Sequence, residues 1–148
     1  MRVVIQRVSK AQVSIEGKIV GKIEKGLLIL LGITHSDNEA DAKWLVDKIS
    51  GLRIFSDECG KMNKSIEDVN GEILLISQFT LYGDSRKGRR PSFIEAAKPD
   101  VAIPLYEKFI QFITEKNISI SKGIFGADMK VELLNDGPVT MIIDSPEK

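Results

Sequence analysis

The stretch "EGKIVGKIEKGLLILLGIT", residues 16–34, contains five consecutive apolar residues, Leu27 to Leu31. Neighbouring side chains of a strand point to opposite faces, so a strand without polar alternation needs cover on both sides. Leu27–Leu31 therefore reads as a central strand. Upstream, Val3, Ile5 and Val8 stand against Arg2, Gln6 and Arg7, and glycines break the β-branched bursts that follow. The pattern predicts three strands, near 2–15, 18–24 and 26–33, with Glu16-Gly17 as a hairpin turn.

Past residue 34 the period changes. In "SDNEADAKWLVDKISGL" (36–52), Leu45, Ile49 and Leu52 recur at helical spacing beside Val46. Ser36 and Glu39 have the spacing of a capping box, and Leu45, Ile49 and Trp44 are expected to pack on the sheet. Residues 53–71 read as a polar excursion ending in the turn pair Asn70-Gly71, and "EILLISQFTLYGD" (72–84) as another mostly apolar strand. A basic loop over 85–100 carries a short helical turn from Ser92 to Ala97. "PLYEKFIQFITEKN" (104–117) predicts a second helix, with Pro104 in its first turn and Leu105, Phe109, Phe112 and Ile113 on one side. Residues 118–144 supply three more strand-like segments. The expected class is α+β: a single domain over 1–148, its mixed or antiparallel sheet packed with two main helices.

Lys plus Arg equals Asp plus Glu, at 21 each, so no global basic field marks a nucleic-acid binder and any such binding must rest on a local patch. "SRKGRR" offers one, with Arg86, Lys87, Arg89 and Arg90 around Gly88. One cysteine, Cys59, excludes an internal disulfide, and His35 is the sole histidine, so no zinc-type cluster can be assembled. No metal and no cofactor is expected. No apolar run approaches the ~20 residues of a membrane span, and the opening alternates instead of forming a signal-peptide block, which points to the cytoplasm.

Chemistry concentrates in "SQFTLYGD" (77–84), where Ser77, Gln78 and Thr80 arrive at the end of a buried strand. Such hydroxyls either satisfy neighbouring backbone groups or line a site. A nucleophilic Ser77 or Thr80 needs a base, and the sequence shows none beside it; backbone amides, or a group of the substrate itself, are the alternative. The basic cluster is either solvated loop or, with Phe93 beside Arg89 and Arg90, a grip for phosphates and exposed bases at an RNA end. "FGADM" (125–129) and "NDGP" (135–138) both read as turns, and Gly126 could let a ligand approach the backbone.

Taken together, "SQFTLYGD", "KGRRPSF", "FGADM", "NDGPVT" and the opening "MRVVIQRVSKAQVSIEG" resemble the D-aminoacyl-tRNA deacylases (the D-tyrosyl-tRNA deacylase family), and the resemblance spans essentially the whole chain. It implies hydrolysis of the ester of D-aminoacyl-tRNA, and of mischarged glycyl-tRNA, by a homodimer with active sites at the subunit interface. It assigns Ser77, Gln78, Phe79 and Thr80 to the catalytic pocket, acting largely through backbone groups. Phe125, Gly126 and Met129 become substrate contacts, and Arg86, Lys87, Arg89 and Arg90 tRNA contacts. Gly137-Pro138 is implied to be a cis pair that enters the partner's site and rejects L-aminoacyl esters sterically. The family implies assistance from the terminal ribose 2′-hydroxyl, with a Thr80 nucleophile as the alternative.

Overall fold

A computed structural model describes residues 1–146. Its frame is the long strand β1 (Arg2–Ile15), which pairs antiparallel along one edge with β3 (Gly26–Gly32) and then with β2 (Lys18–Ile23). The other edge of β1 pairs along its length with β8 (Lys130–Asp144). On the far side of β3, β6 (Glu72–Ser77) and then β7 (Ser119–Lys122) join in parallel, so the sheet is mixed. The predicted bounds of β1 and β2 stand within a residue, and the turn at Glu16-Gly17 has both residues at positive φ.

The apolar run at 27–31 is covered on both faces. Leu27, Ile29 and Leu31, with Ile73 and Leu75 of β6, face a core shared with α1 (Glu39–Ser50) and α2 (Pro99–Glu115). Leu28 joins Leu74 and Ile76 in a second core with Val8, Val13 and Ile23, and Leu30 packs against it. That second core exists because β2 curls over β6 and β7. Gly21 makes the approach possible: a Cβ there would lie 2.9 Å from the Lys122 carbonyl oxygen, and Ser121 Oγ donates to the Lys22 carbonyl at 3.2 Å.

Several local expectations give way to better-placed residues. The α1 cap is Asn38, not Ser36: its side chain accepts from the Ala40 amide at 2.9 Å, while Asp41, not Glu39, accepts from the Asn38 amide at 2.8 Å. The same capping-box logic applies two residues later. Trp44 lies on the exposed side of α1, with the Lys48 ammonium 5.3 Å from its ring centroid, and Ala42, Leu45 and Ile49 take the core face. The second helix begins at Pro99, whose missing N–H costs nothing at a helix start, so Pro104 is internal rather than in the first turn. Within 53–71 lie a small hairpin, β4 (Phe55–Ser56) with β5 (Met62–Lys64), and the buried Ile54, Phe55 and Ile66. Only two closing strands form, because β8 runs unbroken from 130 to 144 through the stretch read as a turn.

Candidate active site

β3, β6 and β7 are parallel and end on the same side, where a sheet leaves a crevice outside its carboxyl ends. A cavity of about 260 Å3 occupies it. β3 and its continuation contribute Leu31 and Ile33, β6 contributes Ile76 and Ser77, and the segment after β7 contributes Phe125, Gly126 and Met129. Ala97 and Ala102, before and in the first turns of α2, supply the small wall that keeps the space open.

The strand predicted over 72–84 stops at Ser77. Gln78 N–H donates to the Leu31 carbonyl at 2.8 Å, and Phe79–Tyr82 then form one 3-10 turn, closed by Gly83 N–H to the Thr80 carbonyl at 2.9 Å. The first amides of such a turn have no partner within it. Those of Phe79 and Thr80 find no acceptor elsewhere among the described residues. The Thr80 hydroxyl accepts from the Gln78 side-chain amide, so its neighbour is a donor and not a base. Of the cavity lining, Asp128 alone is ionisable, and it is paired with Lys130 at 3.1 Å. His35 is engaged elsewhere, its Nε2 donating to the Ile94 carbonyl at 2.7 Å.

Ser77, Gln78, Phe79, Phe125, Gly126 and Met129 therefore line one cavity, and Thr80 follows on its exposed margin. Gly137 and Pro138 are absent from that lining. Their bond is cis and both residues are exposed. They sit where β8 slips register against β1, between the pairs Gln6–Thr140 and Val8–Asn135, so a short bulge projects from a strand that resumes on either side. Two residues brace it. Arg7 donates from Nε to the Asp136 carbonyl at 2.9 Å and from a terminal nitrogen to the Ile54 carbonyl at 2.7 Å. The Asn135 amide bridges the Arg7 and Val139 carbonyls at 3.0 and 2.9 Å. Gly137 has φ +136°, a conformation side chains rarely adopt, and a Cβ there would lie 3.1 Å from the Arg7 guanidinium.

The four cations of the basic loop do not behave alike. Arg86 grips the carboxylate of Asp84 in a bidentate pair at 2.9 and 2.8 Å, and this holds the Asp84 carboxyl down to about 2. Lys87, Arg89 and Arg90 are exposed, with no acidic partner among the described residues. The segment read as a helical turn from Ser92 to Ala97 is instead a single turn closed by Ala96 N–H to the Phe93 carbonyl at 3.1 Å, held between two bridges, Asp84–Ser92 and Thr34–Ala96. Sequence reasoning passed over Arg7, Asp84 and Tyr106. Arg7 looked like the polar half of an alternating strand; Asp84 offered only its spacing to Arg86. The Tyr106 ring packs edge-on against Phe125 at 5.8 Å, its hydroxyl is buried without a partner among the described residues, and burial pushes its phenol up to about 12.

The family model described as D-Tyr-tRNA(Tyr) deacylase matches residues 4–144. A protein of Fusobacterium nucleatum named D-aminoacyl-tRNA deacylase is 64% identical over 147 residues, covering 99% of this chain and 97% of the relative. A solved structure titled c-Myc DNA Unwinding Element Binding Protein superposes with TM-score 0.93 at 39% identity, covering 99% of this chain and 100% of that one. Another, titled a probable eukaryotic D-amino acid tRNA deacylase, shares the fold with TM-score 0.83 at 18% identity, over 97% and 98% of the two chains. A family match from residue 4 to residue 144 and a relative of nearly equal length agree, and the chain belongs to the D-Tyr-tRNA(Tyr) deacylase family of hydrolases.

Proposed function

We propose that the cavity at the ends of β3 and β6 binds the aminoacyl-adenosine end of a charged tRNA in the cytoplasm and hydrolyses its ester, releasing D-amino acid, or glycine from mischarged glycyl-tRNA. The observation that carries this reading is the pair of unspent amides at Phe79 and Thr80, on the margin of a cavity whose lining has no histidine, lysine or cysteine. Two such donors stabilise the oxyanion that forms when an ester carbonyl is attacked, and they need no reorganisation to do so. Water is the nucleophile. Its attack breaks the bond between the carbonyl carbon and the ribose oxygen, and the leaving oxygen takes up a proton; the adjacent 2′-hydroxyl assists, since the one ionisable side chain of the lining, Asp128, is paired with Lys130.

Selection of the D form falls to Gly137 and Pro138 of a second subunit. Both are exposed and lie outside their own cavity, on a bulge that Arg7 and Asn135 hold in place. In a homodimer their carbonyls enter the partner's cavity, accept from the substrate α-amino group and fill the volume that an L side chain needs. β8 suits such an assembly: among the described residues it pairs only with β1, and Leu134 and Ile142 are exposed along it. A braced bulge is required because a yielding one would admit the abundant L substrate.

Incubation with D-Tyr-tRNA, followed by a search for protein-bound ester, tests the chemistry. Free tyrosine with no ester on Ser77 or Thr80 supports it. Intact D-Tyr-tRNA bound to folded protein would reduce the site to an RNA-end binder, and an ester trapped on Thr80 would replace water with the hydroxyl as nucleophile.

A further inference from the structure

We propose that the exposed rings of Phe93 and Phe79 form a stacking platform for the base of the penultimate nucleotide of the RNA strand, with Lys87, Arg89 and Arg90 holding its phosphates. This rests on the deacylase reading of the cavity and extends it from the terminal adenosine to the strand that leads there.

Phe79 is 56% exposed and Phe93 38%, and the rings meet edge to face at 5.2 Å and 73°. Ile94, next to Phe93 in sequence, is 76% exposed. A contiguous apolar patch at the rim of a cavity marks a binding surface rather than scattered surface residues. Phe79 lines the cavity itself, so the platform begins where the terminal adenosine would end.

Phe93 is anchored on both sides. Before it, Asp84 and Ser92 exchange two backbone hydrogen bonds at 2.8 Å. After it, His35 donates to the Ile94 carbonyl at 2.7 Å and the Thr34 hydroxyl to the Glu95 carbonyl at 2.6 Å. Gly83 lets the ring settle onto the 3-10 turn, since a Cβ there would lie 2.9 Å from the Phe93 ring. A ring fixed in place and left in solvent is preorganised for a flat partner, and stacking on it loses little entropy.

Charge names the occupant. Arg86 is spent on Asp84, which shapes the loop, while Lys87, Arg89 and Arg90 point no charge at any acid among the described residues. Unpaired cations in the loop that leads into a fixed aromatic surface fit an anionic polymer with planar faces, namely a single-stranded nucleic-acid end.

Phe93→Ala and Phe93→Tyr test the platform. Titration of a short single-stranded RNA ending in cytidine-cytidine-adenosine should show binding weakened about tenfold or more by alanine and largely restored by tyrosine. In hydrolysis, the alanine variant should lose about tenfold more kcat/KM on D-aminoacyl-tRNA than on D-aminoacyl-adenosine, which lacks the stacked nucleotide. Equal losses on the two esters would make Phe93 a mere support for Phe79, and unchanged RNA binding would end the proposal. A shift in sedimentation on replacing Phe93 would show the ring buried against a second copy, which also overturns it. If the wild-type protein hydrolyses neither ester, the deacylase reading falls, while the RNA titration still decides the platform.

Discussion

The Arg7 guanidinium donates to the Asp136 carbonyl at 2.9 Å across the place where β8 leaves its register with β1. The side chain is 12% exposed and also donates to the Ile54 carbonyl, so one residue ties the Gly137-Pro138 bulge to both β1 and the segment after α1. Hydrogen bonds from a charged donor contribute roughly 1.5–3 kcal/mol each. Arg7→Ala removes both bonds and should lower unfolding free energy by roughly 3 kcal/mol or more and, in the same preparation, erode discrimination against L substrates. Chemical denaturation and paired D and L deacylation rates check this. A destabilised variant with unchanged discrimination would separate the bulge from selection.

Ser77→Ala and Thr80→Ala should each keep kcat within about tenfold of the parent, since loss of a true nucleophile costs several orders of magnitude. The structural reason is the Gln78 side-chain amide, which donates to the Thr80 hydroxyl where an activated nucleophile would need a base. Single-turnover rates with D-Tyr-tRNA decide the matter.

Gly123 faces the Met129 side chain so closely that a Cβ would overlap its sulfur. Gly123→Ala should therefore displace Met129 within the cavity lining and cost roughly 1–3 kcal/mol. KM should rise along with the loss of stability. Tyr106→Phe tests the same wall in the opposite sense. Removing a buried hydroxyl that lacks a partner among the described residues should stabilise the fold by about 1 kcal/mol and leave kcat intact. A fall in kcat with the fold preserved would show that the hydroxyl serves the substrate.

Asp84 has its carboxyl lowered from 3.8 to about 2 by the hydrogen bond from Arg86. A depressed carboxyl contributes fully above its ordinary value and loses that contribution as pH falls through the folded one. The loop pin should therefore hold above pH ~4 and release between ~4 and ~2. An NMR titration should give an Asp84 midpoint near 2, returning toward 3.8 in Arg86→Ala.

Lys87, Arg89 and Arg90 should carry the salt dependence of RNA binding. Replacing all three by alanine should reduce the slope of log K against log salt by roughly 2, at about 0.7 per phosphate of a single strand. Replacing Arg86 alone should change it little, because that guanidinium is already occupied by Asp84.

Periodicity carried the sheet well. Leu27–Leu31 announced a strand covered on both faces, and the glycine breaks placed β1, β2 and β3 closely. It did less well at element ends, where competing caps and single prolines decide: Asn38 outcompeted Ser36, and Pro99 began a helix assigned to Pro104. The cavity was foreshadowed by Ser77 and Gln78 at a strand end, yet its opposite wall at Ala97 and Ala102 left no local signal, because small residues mean space only once their neighbours are known. "NDGP" misled for a similar reason. Turn residues mark a departure from the strand path, and whether the chain reverses or returns to the same partner is settled by β1.

The most direct measurement is amino-acid release from D-Tyr-tRNA and L-Tyr-tRNA by the wild-type protein at equal concentration and equal ionic strength. Rapid release from the D substrate, with the L ester decaying at least about a hundredfold more slowly however high its concentration, is the result expected of a rigid filter above two backbone donors. Comparable release from both would contradict it, leaving an esterase whose Gly137-Pro138 bulge plays no part in choosing the substrate.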